Sequence, residues 1–236
     1  MPNKIIPLEN GKFYHIYNRG NNRESLFIED SDFKYFLFLY KKYILLVADI
    51  YAWVLMSNHF HFLIRIKDKE EIGYFASINT INSGNADLRK INKDKKWKTI
   101  DFRELKTCQN KPHKKTNRKP NPSKQFSHLF NSYAKYFNKK YNRIGSLFQK
   151  GFSKKLINSD KYLLHIVYYI HNNPVHHGFT KDMFAYTWSS YNLILSPSKT
   201  ILKKNEVIDW FDSIENFKYF HQTNQGLDVI KKLMNE

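Results

Sequence analysis

The stretch Trp53-Val54-Leu55-Met56-Ser57-Asn58-His59-Phe60-His61-Phe62-Leu63-Ile64 decides how the rest of the chain is read. It is almost entirely apolar up to Met56, and Ser57-Asn58 has the character of a turn. The pattern predicts a hairpin of two strands, about 47 to 56 and His59 to Ile66. Side chains two apart on a strand share a face. His59 and His61 therefore project together, while Phe60 and Phe62 turn the other way into packing. Two imidazoles on a rigid strand make half of a divalent-metal site. They equally suit a polar crevice, since two ligands alone are not a site.

Outward from the hairpin, Phe13 to Arg19 alternates and breaks at Gly20-Asn21-Asn22, the pattern of a strand and a turn. Asp30 or Asp32 starts a helix carrying Phe33, Phe36, Leu37 and Tyr40 at helical spacing. Asp68 is expected to open another helical segment, with Ile72, Phe75, Ala76 and Ile78 on one side. Residues 84–125 are polar and basic, and Lys106 to Gln125 contains no acid. This insertion reads either as a solvated linker or as an arm that contacts phosphates.

Helical spacing returns at Phe126, with Leu129, Phe130, Tyr133, Phe137 and Tyr141, and Gly145 is expected to mark the helix end. Leu147 to Ile157 could supply a last strand. Asn158-Ser159-Asp160 is an N-cap signal for a helix expected to stop at Asn173-Pro174. The order of elements predicts an α+β fold, a ferredoxin-like antiparallel sheet with packed helices and one extra helix. A domain over 1–180 carries the basic insertion at 84–125. Residues 181–236 read as a C-terminal extension that packs on it, anchored by Trp188-Ser189-Ser190-Tyr191 and Val207-Ile208-Asp209-Trp210-Phe211.

Lys and Arg number 39 against 21 acids, a formal charge of +18. So large an excess predicts a polyanionic partner, nucleic acid above all, bound in a salt-sensitive way. No apolar span or amphipathic anchor supports a membrane partner. The single cysteine, Cys108, excludes an intramolecular disulfide. The N-terminus lacks the apolar core of a secretory signal, so a cytoplasmic protein is expected.

The last long helix adds a second polar group. His165, Tyr169 and Asn173 are spaced four residues apart and are expected to form one stripe. Tyr169 is then a candidate nucleophile with an amide one turn away, and Tyr168, about 100° around the helix, is its rival. His165 is a satisfied polar residue, a phosphate contact or an accessory ligand.

Ala52-Trp53-Val54-Leu55-Met56-Ser57-Asn58-His59-Phe60-His61 carries a His-hydrophobic-His signature. With Tyr133-Ala134-Lys135-Tyr136-Phe137-Asn138, Gly145-Ser146-Leu147-Phe148-Gln149, Tyr169-Ile170-His171-Asn172-Asn173-Pro174-Val175 and the Trp188 segment, the chain resembles the single-tyrosine HUH transposases. The resemblance is strongest to the REP-associated tyrosine transposases and their insertion-sequence relatives, and it covers roughly residues 10–195. It implies the HUH endonuclease fold, with His59, His61 and Asn173 holding Mg²⁺ or Mn²⁺ and Tyr169 as nucleophile. It also implies cleavage and rejoining of single-stranded or hairpin DNA through a 5′-phosphotyrosine, by a monomer or a homodimer. Arg19, Lys114, Lys115, Arg118, Lys119, Lys139, Lys140 and Arg143 are the expected DNA contacts. The competing expectation is a nucleic-acid-binding protein without catalysis, either a domesticated relative or an RNA-binding ferredoxin-like module. A metal-dependent hydrolase built on the histidine pair is a third.

Overall fold

A computed structural model describes residues 7–73, 119–149 and 151–223. Four strands, β1 (Phe13–Arg19), β2 (Ala48–Met56), β3 (His59–Ile66) and β4 (Ser153–Ile157), form one open sheet in the order β2-β3-β1-β4. Every neighbouring pair is antiparallel. The hairpin joining β2 and β3 turns at Ser57-Asn58, as its sequence predicts. β1 ends at Gly20, where a Cβ would stand 1.9 Å from the Glu24 carbonyl oxygen, and a 3-10 turn over Asn21–Arg23 follows.

Two helices cover one face of the sheet. In α1 (Asp30–Tyr43), Glu29 and Asp32 form a reciprocal capping box, and Phe33, Phe36, Leu37 and Tyr40 are buried. Helix α2 (Pro122–Lys140) opens with Asn121 as cap, its side chain accepting from the Lys124 N–H at 3.1 Å, and with Pro122 in the first turn. The basic insertion therefore gives way to helix before residue 125. Phe36 meets Phe60 at 5.1 Å between ring centroids, Tyr40 meets Phe62 at 4.6 Å, and Phe130 meets Phe60 at 5.7 Å. This aromatic layer holds Phe60 and Phe62 on the core side and leaves His59 and His61 to the other face.

Helix α3 (Asp160–His176) lies on that other face, capped by Ser159, whose Oγ accepts from the Tyr162 N–H at 3.3 Å. It runs through Pro174 rather than stopping there. Proline costs the Ile170 carbonyl its partner, but only the final turn remains to be closed. A Schellman motif closes it: Gly178 has φ +72, its N–H donates to the Val175 carbonyl at 3.0 Å, and the Phe179 N–H donates to the Pro174 carbonyl at 2.8 Å. At the end of α2 the Arg143 N–H donates to the Asn138 carbonyl at 2.8 Å, and Asn142 at φ 48 takes the position expected of Gly145. The last strand begins at Ser153 rather than Leu147, with an isolated bridge between Phe148 and Gly20. Residues 69–71 form a turn, and the remainder of the helix expected from Asp68 lies outside the described residues.

The chain beyond α3 returns to the free edge of β2. The Leu55 N–H donates to the Trp188 carbonyl, the Ser190 N–H to the Trp53 carbonyl and the Lys203 N–H to the Ile50 carbonyl, each at 2.9 Å. An edge that would otherwise template aggregation is thereby covered. Three short helices follow: α4 (Tyr191–Leu195), α5 (Lys204–Trp210) and α6 (Ile214–Gln222). Trp210 stacks on Tyr51 at 5.0 Å and Trp188 on Phe33 at 4.5 Å, so both predicted anchoring clusters meet the core. Among the described residues no helix is long and apolar enough to cross a membrane.

Candidate active site

The register of β1 on β3 sets Tyr17 opposite His61 and Arg19 opposite His59. His15 and Tyr17 share the face of His61, and α3 lowers Tyr169 onto them. The Tyr169 ring stands edge-on to His61 at 5.6 Å and to His15 at 5.9 Å. His61 Nδ1 lies 2.8 Å from His15 Nε2, and His59 Nδ1 lies 2.6 Å from Asn58 Oδ1. Asn173 donates its amide to the Tyr169 carbonyl at 3.0 Å.

Four buried side-chain atoms at this site have no hydrogen-bond partner: His15 Nδ1, His59 Nε2, His61 Nε2 and Asn173 Oδ1. Buried polar atoms without partners are costly, so a cluster of them marks a place built for something else. Burial lowers the pKa of His59 to about 4, with His177 and Arg19 adding to the shift and Asn173 opposing it. His61 is lowered well below the usual imidazole range by burial and then by His15, His59 and His177. Both rings are therefore neutral near pH 7, the state in which imidazole binds a metal. Among the described residues no three His, Cys, Asp or Glu side chains cluster as a metal site.

Tyr169 is half-buried, and burial raises its phenol above the ordinary value, with the Asn173 amide pulling it down and Tyr17 raising it. Tyr168 is fully buried and faces away, against Phe220 at 6.0 Å and His221 at 5.7 Å. His165 is also turned toward Phe220, at 5.4 Å, and its Nδ1 has no partner. Steps of four residues drift by about 40° each on a helix. That drift separates His165 from Asn173 and breaks the expected single stripe.

The predicted DNA contacts divide. Arg19 lies beside the site, close enough to His59 and His177 to depress both, and no described residue pairs with its guanidinium. Lys139 is exposed on the last turn of α2. Lys140 is committed elsewhere, to Asp32 at 2.7 Å and Glu29 at 3.1 Å, and Arg143 to Glu24 through Nε at 3.0 Å. These two fasten helices and loops together, so their charge is already balanced. Lys119 donates to the Lys69 carbonyl, while Lys114, Lys115 and Arg118 lie outside the described residues.

Sequence reasoning missed His15, Tyr17 and His177. The His177 ring packs edge-on against His59 at 4.6 Å. The alternation of Phe13 to Arg19 already put His15 and Tyr17 on one face, and only the pairing of β1 with β3 brings that face to His61.

The fold is similar to a solved structure described as the REP-associated tyrosine transposase bound to a REP hairpin, with 15% identity and a TM-score of 0.53. The match covers 85% of this chain and 90% of that one. No family model matches the chain, and no curated protein matches it. At this identity the similarity speaks to the fold, a mixed α/β arrangement around a four-stranded antiparallel sheet.

Proposed function

We propose that the chain is a metal-dependent single-stranded DNA endonuclease and strand transferase with the ferredoxin-like HUH fold. The observation that carries the reading is a group of three buried atoms without partners, on His59, His61 and Asn173, with the two rings 5.4 Å apart and the half-buried Tyr169 edge-on to His61. The donor set is neutral, so Mg²⁺ or Mn²⁺ held there would keep its full charge to polarise a scissile phosphate and offset charge in the transition state.

The chain's own residues do the rest. Helix α3 presents the Tyr169 hydroxyl to the phosphate while packing fixes its ring between His15 and His61. A phenol with a raised pKa is protonated at neutral pH and must lose its proton as it attacks. Attack forms a bond from Tyr169 Oη to phosphorus and breaks the bond to the 3′-oxygen, which takes up one proton. The 5′-phosphate remains on Tyr169, and the reverse exchange rejoins a strand without ATP. Arg19 and Lys139 offer charge to the flanking backbone. The solved structure with the similar fold holds a REP hairpin, and hairpin or single-stranded DNA is the proposed partner here.

The test is covalent capture. A labelled single-stranded hairpin oligonucleotide with Mn²⁺ should yield a protein–DNA adduct from the wild-type chain and none from Tyr169→Phe, with DNA binding retained. An undiminished adduct in that variant overturns the assignment. DNA binding with no adduct from any form favours a binding protein without catalysis.

A further inference from the structure

We propose that His15 is a positioning residue: it fixes the His61 ring with Nε2 turned into the site and accepts a hydrogen bond from the N–H that must sit on Nδ1 before Nε2 can bind a cation. This role presupposes the metal-site reading above and assigns a function to a residue that touches neither substrate nor metal.

His15 is fully buried, and its Nε2 lies 2.8 Å from His61 Nδ1. The two rings are nearly parallel, 18° apart with centroids at 5.0 Å. Tyr17 stacks on both, at 4.8 Å from His15 and 5.6 Å from His61, and Tyr169 closes the stack edge-on. Both imidazoles are buried within this aromatic stack.

A neutral imidazole carries one N–H, and one proton occupies the bond between the two rings. If that proton belongs to His15 Nε2, His61 carries its own on Nε2, which then points a donor into the site and cannot ligate. If it belongs to His61 Nδ1, His61 Nε2 keeps its lone pair, and the His15 proton moves to Nδ1. That nitrogen is buried without a partner, as is His61 Nε2. The pair thus has two states that each leave one N–H unsatisfied, and only one accepts a cation. A cation at Nε2 selects this state and strengthens the Nδ1–H donor, so the acceptor at position 15 and the cation reinforce each other.

The experiment is Mn²⁺ titration of the full chain, followed by the electron paramagnetic resonance of the free ion, with nitrogen NMR of the His61 tautomer in a separate sample loaded with diamagnetic Mg²⁺. His15→Phe keeps the ring and removes the acceptor, while His15→Gln supplies an amide oxygen. We expect His15→Phe to weaken Mn²⁺ binding roughly ten- to a hundredfold. His15→Gln should restore it to within a few-fold with the proton on His61 Nδ1. If wild type binds Mn²⁺, His61→Ala does not, and His15→Phe matches wild type, the role of His15 falls and the metal site stands. If wild type and His61→Ala bind alike, the metal site itself falls and the role with it. Should His15→Phe fail to fold, a His61 proton found on Nε2 in Mg²⁺-loaded His15→Gln overturns the proposal.

Discussion

The ring of Tyr169 stands edge-on to that of His61, with centroids 5.6 Å apart and planes at 85°. Tyr168, the next residue back along α3, points to a different side of the helix, against Phe220 and His221. One step of about 100° separates a residue that faces the histidine pair from one that does not. Tyr168→Phe should therefore keep the covalent adduct, with a stability change of about 1 kcal/mol or less for removing one hydroxyl. Tyr169→Phe should lose the adduct and keep its melting temperature within a few degrees. Gel analysis of the adduct beside thermal denaturation separates the two, and the reverse pattern would reassign the nucleophile.

Charge on this surface has two uses that composition does not distinguish. Asp32 is buried and accepts from the Ile28 N–H at 2.9 Å, the Glu29 N–H at 3.0 Å, Lys140 at 2.7 Å and the Tyr141 hydroxyl at 2.7 Å. Burial works against its ionisation, but these donors hold its carboxyl below the ordinary value. Its contribution to stability is present above the unfolded pKa and is lost as pH falls through the lower folded one. Lys140→Ala leaves a buried carboxylate short of its cation and should cost about 3 kcal/mol or more. Arg19→Ala should leave stability within about 0.5 kcal/mol and reduce the salt slope of DNA binding by about one. Denaturant unfolding and binding at several salt concentrations check both, and a Lys140→Ala protein of normal stability would contradict the ion-pair role.

A chain of hydrogen bonds ties the C-terminal segment to α3. His221 Nδ1 donates to the Phe217 carbonyl at 2.7 Å, which leaves His221 Nε2 to accept from His171 Nδ1 at 2.9 Å. His171 Nε2 then accepts from Ser190 Oγ at 2.8 Å, and Ser190 Oγ accepts from the Trp53 N–H at 2.9 Å. Every tautomer is fixed by the backbone carbonyl at one end, and both rings are neutral. Burial lowers His221 to about 4, against an ordinary 6.5, and lowers His171 as well. The unfolded chain takes up protons near 6.5 and the folded one does not until near 4. Stability should thus fall as pH drops through that window. His221→Phe should flatten that slope in denaturant titrations at pH 7.5 and pH 5. An unchanged slope would mean that other groups carry the acid sensitivity.

Much of this arrangement was legible because it is local. The hairpin from Trp53 to Ile64 declares its turn and the facing of its histidines, and Ser159 declares the start of α3. What escaped is non-local or conditional. Lys140 reads as one more exposed cation until Asp32, 108 residues away, comes to meet it. His15 gains its meaning only from the pairing of β1 with β3. Pro174 reads as a stop, yet a proline in the last turn breaks only one hydrogen bond, and the true signal for the end was Gly178.

That glycine supports the rim of the site. At φ +72 it lets the Schellman bonds form, and these place His177 against His59 and Phe179 6.1 Å from the same ring. Any Cβ at position 178 has open space, so the penalty of Gly178→Ala is the backbone conformation alone, about 1 kcal/mol. The variant should remain folded, with a melting temperature lowered by a few degrees. If the last turn relaxes to relieve the strain, His177 and Phe179 move off His59 and its surroundings become wetter. The His59 pKa should then rise from about 4 toward the ordinary value, because burial is the main cause of its depression. Histidine NMR titration of Gly178→Ala, with His177→Ala as a comparison that removes the neighbour without straining the backbone, reads this directly. A rise in both variants places His177 as the cover of His59. A rise in Gly178→Ala alone assigns the effect to the turn, and no rise in either shows that the rim does not control how wet His59 is.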